Sequence, residues 1–432
     1  MLEKSFFLWP LRSWFSIRTP IHDSALGKFS YGGLMNLLVL NSGSSSIKFS
    51  LFSANGDGGK PGLLLDGELS GTGTPQAALA IVRGKSAEEK RALNGIDTVA
   101  GAIGVVLDAI GSASAGAAGA VGYRVVHPGA EIRGHIRITD EVLQKLGAAA
   151  SFAPLHDPEV LEIIRETMQR MPDVPHFACF DTVFHQTMPE EAFTYAIPAK
   201  YREQGVKRYG FHGLSCESAV RQMRSLGPLP RRMVIAHLGS GCSVTAVVDG
   251  ESVDTTMGLT PTGGVVMGTR PGDLDPGLLL YLLRQQPGGD AASEVEKMLN
   301  HNAGMVALTA LPNDMKAVRK AATEGDAAAT LALKVFTRSV RKAIGGFAWL
   351  MGGLDAIVFT GGIGEHDVTT RADVLAGMEE SEIVINSSLN EAKGDGVRRI
   401  SASDSKTAVF AVPAQEDLVI ALHVQRMVQA GA

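Results

Sequence analysis

The sequence predicts an α/β protein built as two related halves, each a mixed sheet carrying helices. Three observations carry that expectation. Leu37 to Phe52, LLVLNSGSSSIKFSLF, places two apolar, β-rich runs around a turn of small hydrogen-bonding residues, the pattern of a β-hairpin. Met233 to Val248, MVIAHLGSGCSVTAVV, repeats the plan about half a chain later, with Gly43 and Gly239 in matching places. Strand-like and helix-like segments alternate through the rest. One domain with two chance hairpins is the competing reading, and the matched glycines favour duplication.

Each hairpin turn is suited to an anion. Small residues let backbone N–H groups come close, serine hydroxyls add donors, and Lys48 follows the first turn directly. An ordinary polar hairpin loop would also use such residues, and the second copy is what favours a phosphate loop in each half.

The chain has 432 residues, 45% hydrophobic and 20% charged, enough for about two domains with buried cores. The formal net charge of −5 comes without a basic block, which argues against nucleic acid as a partner. Cys179, Cys216 and Cys242 show no zinc spacing and fit a reducing, cytoplasmic setting. No run reaches the roughly 18 apolar residues of a membrane span. Residues 1 to 34 begin MLEKSFFLWPLRSW, with Pro10 and Arg12 breaking the apolar run, a poor secretory signal. They are expected to be a disordered extension ahead of Met35.

Along the chain, Leu63 to Leu69 reads as a strand, and helices are expected near 75–83 and 98–111. Gly84-Lys85-Ser86 is not a P-loop, because Leu79 stands where the motif needs glycine. Val121 to Gly129 is a strand running into a turn and carries Arg124, an arginine that a surface ion pair would equally explain. Asp140 caps a helix to about Ala150, and Asp157, with Pro158 at the first position, caps another to Arg170. His176 to Phe180 is a strand ending at Asp181, placed either to hold a metal-bound water or to cap a helix. Arg208 to Gly213 is a Gly-hinged loop presenting His212. Asp254 to Gly277 is a long Gly/Pro loop around Arg270, of the kind that is usually functional. Helices follow near 277–285 and 291–300, then from Asp326 to about Met351. Ala356 to Thr360 is a buried strand, and the glycines after it suit close approach of a nucleotide rather than a dehydrogenase fingerprint. Ala408 to Val412 is a late strand, and Gln415 opens the last helix.

Taken together, these motifs resemble the acetate kinase family. LNSGSSSIKFSLF, GYRVVHPG, APLHDP, FDTVFHQTMP, RYGFHGLS, HLGSGCSV, MGLTPTGGVVMGTRPGDLDPG, FTGGIGEH and VPAQEDL occur in the family's order between Met35 and the C-terminus. The resemblance implies two duplicated ribonuclease-H-like domains of the actin-like ATPase superfamily. They would span 35–182 and 183–418, with a C-terminal helix, about 419–432, returning to the first. It implies ATP or ADP as substrate, acetate or acetyl phosphate as partner substrate, Mg²⁺ with Mn²⁺ as a substitute, and a homodimer.

Carried over by motif, Asp181, Arg124, His212 and Arg270 would be catalytic, with His212 and Arg270 stabilising the transition state. Arg124, Val126, Leu155, Phe211 and Pro261 would hold the acid. Lys48, Ser44, Ser46, His237, Gly239, Gly241, Asp314, Lys316, Gly362 and His366 would bind the nucleotide. Asn41 and Glu416 would serve the metal, and His156 would be auxiliary.

A carboxylate nucleophile is ionised at neutral pH and needs no base. It needs relief from repulsion by a polyanion, which two arginines, a histidine and the metal would supply. Alternatives are a propionate or butyrate kinase, and a pyrophosphate-dependent acetate kinase. A catalytically silent nucleotide-binding sensor is disfavoured because the residues given direct catalytic roles are all retained, and an actin- or Hsp70-like protein would not need the arginine pair or the acid pocket. The family usually has Asn at Ser240 and His366 and Arg at Lys316, and a lysine cannot reproduce a planar Arg contact.

Overall fold

The computed structural model describes residues 35–43, 46–54, 58–112, 116–149, 157–286 and 290–431. The extension 1–34, and Ser44, Leu155 and His156 of the expected site, lie outside the described residues. The first sheet holds β1 (Met35–Gly43), β2 (Ser46–Ala54), β3 (Gly62–Ser70), β4 (Ala78–Arg83), β5 (Glu89–Ala92), β6 (Ala118–Val125), β7 (Ile136–Arg137) and β8 (His176–Phe180). The second holds β9 (Arg232–Leu238), β10 (Cys242–Val248), β11 (Glu251–Thr255), β12 (Ala356–Thr360), β13 (Arg398–Arg399) and β14 (Ala408–Ala411).

Their orders make the duplication explicit. The run β3-β2-β1-β6-β8-β7 in one sheet matches β11-β10-β9-β12-β14-β13 in the other. In both, a hairpin comes first, two parallel strands follow, and an antiparallel edge strand closes the sheet. The fold is the mixed α/β architecture that the paired hairpins predict.

The segment near 75–83 is a strand, not the expected helix. Leu79 and Ile81 are buried while Ala78, Ala80 and Val82 are half-buried, a period of two. Pairing with β3 overrides the helical preference of its alanines.

Helices cover both faces of each sheet. Helices Val99–Gly111 and Asp157–Arg170 bury Ile103, Val106 and Ile164 against one face of the first sheet. The C-terminal helix, Glu416–Gln429, lays Val419, Ile420 and Val424 on the other. Gly122 makes that approach possible, since a Cβ there would stand 2.6 Å from Val424. Helix Gly213–Ser225 and the long helix Ala327–Leu350 flank the second sheet.

One buried cation is structural. Arg371, 0% exposed, donates to the Gly364 and Glu365 carbonyls at 2.9 and 2.8 Å and to both oxygens of Asn390 at 2.7 and 2.8 Å. It fastens the end of helix Gly361–His366, and burial pulls its pKa down to about 10. Arg371→Leu would leave those acceptors buried and unpaired. A loss of about 3 kcal/mol or more is expected in denaturant unfolding.

Candidate active site

Three adjacent parallel strands, β1, β6 and β8, carry the first set of site residues at their carboxyl ends. Leu40 pairs with Tyr123 and Arg124 with Cys179, so Asn41, Arg124 and Asp181 stand side by side. Crevices at such strand ends are where open α/β sheets bind ligands. Arg124 grips Asp181 with Nε at 3.1 Å from both oxygens and Nη2 at 2.6 Å, and Nη1 donates to Asn41 Oδ1 at 3.3 Å. This is a fork on a carboxylate that is 1% exposed, not a surface pair. Burial pushes Asp181 upward against the pull of Arg124, and the fork geometry is that of an ionised pair.

The C-terminal helix brings two more carboxylates to this point. Asn41 Nδ2 donates to Asp417 Oδ1 at 2.9 Å and to Glu416 Oε2 at 3.3 Å. Burial works to raise Glu416, but Arg124 and His237 outweigh it and hold it below its ordinary value; Asp417 is raised by burial. Three carboxylates thus face one guanidinium. An oxygen-rich, carboxylate-heavy set of this kind fits a hard divalent cation.

The second half supplies the opposite wall. His212 caps helix Gly213–Ser225 from a left-handed backbone, and its Nδ1 lies 3.0 Å from Ser243 Oγ. Its ring stacks on His237 with centroids 4.0 Å apart, and His237 Nδ1 meets Ser215 Oγ at 2.8 Å. Burial, then His237, Arg124 and Arg270, hold the His212 pKa well below 6.5. A depressed pKa favours the neutral ring, which would serve the expected electrostatic role through an N–H dipole.

Arg270 comes from the Gly/Pro loop. Nη1 donates to the Pro261 carbonyl at 2.9 Å, and Nε is buried without a partner. Among the described residues no carboxylate pairs with it, and burial beside Arg124 depresses its pKa. Gly241 sits where the wall converges: a Cβ there would be 3.4 Å from His212 Nε2 and 3.6 Å from Arg270 Nη1. Gly239 N–H closes the turn onto the Gly241 carbonyl at 3.0 Å.

The expected acid pocket is partly described. Val126 and Phe211 are buried in one cluster, and Pro261 is buried under Arg270. Lys48 is exposed opposite Asn41 on β2, and its charge acts on both His237 and Glu416. Ser46 pairs with Gly43 across the first turn.

Beyond Gly239 lies a cavity of about 410 Å³ lined by Asp314, Lys316, Gly362 and His366. Met305, Val318, Phe336 and Ile363 give it an apolar wall. The departures at Ser240, Lys316 and His366 all fall on this lining, where Asn313 Nδ2 donates to Ser240 Oγ at 2.9 Å. Asp314 also caps the next helix, taking the Lys316 N–H at 2.9 Å.

Sequence reasoning assigned no role to Asp417, Ser243, Ser215 or His185. All four stand inside quoted motifs, FDTVFHQTMP, RYGFHGLS, HLGSGCSV and VPAQEDL, but the contacts that give them a role join separate segments and appear only in the fold. His135, Glu217 and His423 gather behind the site, but His135 Nδ1 accepts the Phe180 N–H at 3.1 Å. A neutral ring then carries its proton on Nε2, which withholds that nitrogen from a metal.

Residues 36–422 match the Acetokinase family. The acetate kinase of Deinococcus radiodurans is 41% identical over 391 residues, covering 89% of this chain and 96% of that protein. That of Geobacillus kaustophilus is 38% identical over 402 residues, covering 91% and 99%. Among solved structures, Porphyromonas gingivalis acetate kinase superposes with a TM-score of 0.79 at 32% identity, covering 91% of this chain and 100% of that one. A propionate kinase from Francisella tularensis gives 0.82 at 33%, covering 91% and 99%. With two matched sheets, a shared crevice and a family match over nearly the whole described length, this chain belongs to the acetokinase family.

Proposed function

We propose that the protein is an acetate kinase that moves a phosphoryl group reversibly between ATP and acetate. The observation that carries the reading is Arg270, a half-buried cation that no carboxylate neutralises among the described residues. It faces Arg124 and His212 across a crevice that opens on the 410 Å³ cavity. An unpaired guanidinium there is suited to an anion that arrives with the substrate.

In the proposed reaction an acetate oxygen attacks the γ-phosphorus, the new O–P bond forms, and the bond to the β,γ-bridging oxygen breaks to release ADP. Arg124 and Arg270 hold the acid and the equatorial oxygens, and the His212 N–H adds a fixed dipole. Asp181 fixes the Arg124 fork. Glu416 and Asn41 would hold Mg²⁺, or Mn²⁺, which when bound neutralises phosphate charge. Lys48, Ser46, His237, Gly239 and Gly241 serve the phosphates, while Asp314, Lys316, Gly362 and His366 serve the nucleoside.

The apolar wall of the cavity favours ATP over pyrophosphate, which has no base to fill it. Val126, Phe211 and Pro261 favour a two-carbon acid. Val126→Ala is expected to raise kcat/KM for propionate relative to acetate by roughly 10-fold, since a methylene is worth about that in an apolar pocket.

The proposal includes a homodimer. Helix Pro276–Gln285, PGLLLYLLRQ, buries none of its residues within the chain, and leaves Leu280 53% and Tyr281 57% exposed. An all-round apolar helix of this kind is stable in water when covered. Leu280→Asp with Tyr281→Asp is expected to convert a species of twice the chain mass to one of single mass in light scattering. The three buried free thiols and the ATP requirement suit a cytoplasmic enzyme, and among the described residues no helix is long and apolar enough to cross a membrane.

The test supplies acetate, propionate or butyrate with Mg²⁺ and either ATP or pyrophosphate, and traps acyl phosphate with hydroxylamine. Product from ATP, highest with acetate, is expected. No product with any acid or donor contradicts the proposal.

A further inference from the structure

His212 has φ 57° and ψ 27°, a left-handed backbone disfavoured for any residue with a Cβ. Such a conformation persists where the surroundings over-determine it. Here both neighbouring peptide groups are pinned. On the C-terminal side, the Gly213 N–H donates to the Asp181 carbonyl at 2.7 Å, and a Cβ on Gly213 would overlap that oxygen. On the N-terminal side, the Phe211 carbonyl meets His185 Nε2 at 2.9 Å. Both pins come from one short segment, Asp181 immediately after β8 and the 3-10 turn Val183–Thr187 that follows.

The two pins differ in kind. The first is backbone to backbone and survives substitution. The second depends on one side chain, and its chemistry is fixed. A carbonyl only accepts, so Nε2 carries the ring proton. Nδ1 then accepts from Ser252 Oγ at 2.9 Å, and Ser252 is fully buried on β11. Gly210, at φ 75°, makes room for the ring, because a Cβ there would stand 2.7 Å from it.

We propose that His185 is a positioning residue for phosphoryl transfer: its Nε2–H, by holding the Phe211 carbonyl, fixes the left-handed turn that aims the His212 ring. His185 is 1% exposed and touches no substrate. Burial keeps it neutral, with a pKa of about 4 against the opposing Phe211 contact. The clamp bears on catalysis through the proposed role of His212.

The test compares His185→Gln, His185→Asn and His185→Ala, with Ser252→Ala alongside and the thermal midpoint of each recorded. The Gln amide nitrogen reaches where imidazole Nε2 stands, and the Asn amide stops short. His185→Gln and Ser252→Ala are expected to keep kcat within about 3-fold, while His185→Asn and His185→Ala lose roughly 100-fold, as a misplacement of about 1 Å does. KM for ATP should move by less than about 3-fold throughout, whereas KM for acetate can rise alongside the fall in kcat because Phe211 also lines the acid pocket. Gln and Asn variants of equal kcat overturn the clamp, as does a loss confined to KM. Should His185→Ala not fold, the Gln and Asn pair still decides. Wild-type turnover with acetate is measured first: its absence overturns the acetate kinase reading itself, whereas an active wild type with indistinguishable Gln and Asn variants overturns the clamp alone.

Discussion

Arg270→Ala is expected to lower kcat for acetyl phosphate formation by roughly 10²–10³-fold and also to raise KM for the substrate whose anion it holds. The size of the effect follows from what Arg270 lacks. Its one backbone acceptor is the Pro261 carbonyl, its Nε is buried and unpaired, and Arg124 nearby adds like charge. A guanidinium held this way is poorly compensated in the resting protein, and charge developing on the transferring phosphoryl group would compensate it. Arg270→Lys keeps the charge but loses the planar fork, so an intermediate rate is expected. Steady-state rates with saturating ATP and acetate measure all three proteins. A fall of less than about 10-fold in the alanine variant would place the charge stabilisation elsewhere.

Arg124→Leu is expected to cost activity and stability together. Asp181 is 1% exposed, and its direct cationic partner is Arg124. Removing that partner leaves a buried carboxylate uncompensated, which costs about 3–5 kcal/mol. The stability loss should be separable from the catalytic one. Adding Asp181→Asn to Arg124→Leu removes the stranded charge, so the denaturation midpoint should recover in part. Turnover should not recover if Arg124 has its proposed part in holding the acid and the phosphoryl group, because that part is still missing. Urea unfolding and the hydroxylamine assay on both variants decide it. Recovery of turnover in the double variant would mean that Arg124 serves only to neutralise Asp181.

Local chemistry made much of the fold legible. The two small-residue hairpin turns announced themselves because a tight β-turn near an anion tolerates few residue types. The helices opening at Asp140, at Asp157-Pro158 and near Asp326 were legible as helix starts, but the first is capped by Thr139, whose Oγ1 accepts the Val142 N–H at 3.3 Å, and not by the expected Asp140. β4 was missed because its alanines favour helix locally, and only pairing with β3 makes them a strand. The common strand order of the two sheets was beyond local reading too, since it depends on which strands meet and not on what each contains. At the site, residues inside recognisable motifs were legible. Contacts that join distant segments were not: Asn41 to Asp417, 376 residues apart, or His185 to the Phe211 carbonyl, 26 residues apart. The depressed pKa of His212 likewise follows from burial, then from a stacked His237 and two arginines, which no local pattern brings together.

Direct attack of the carboxylate on phosphorus requires a single displacement with no phosphorylated side chain. Asp181 has both oxygens in the Arg124 fork, and the carboxylate that a two-step route would have to use is Glu416, which accepts from Asn41 on Oε2 at 3.3 Å. The most direct measurement is the stereochemical course at phosphorus, using ATP made chiral at the γ-phosphorus with oxygen isotopes and reading the configuration of the acetyl phosphate. A single in-line displacement gives inversion, and inversion is the expected result. Retention would require two displacements through a phosphorylated side chain, and would contradict direct transfer.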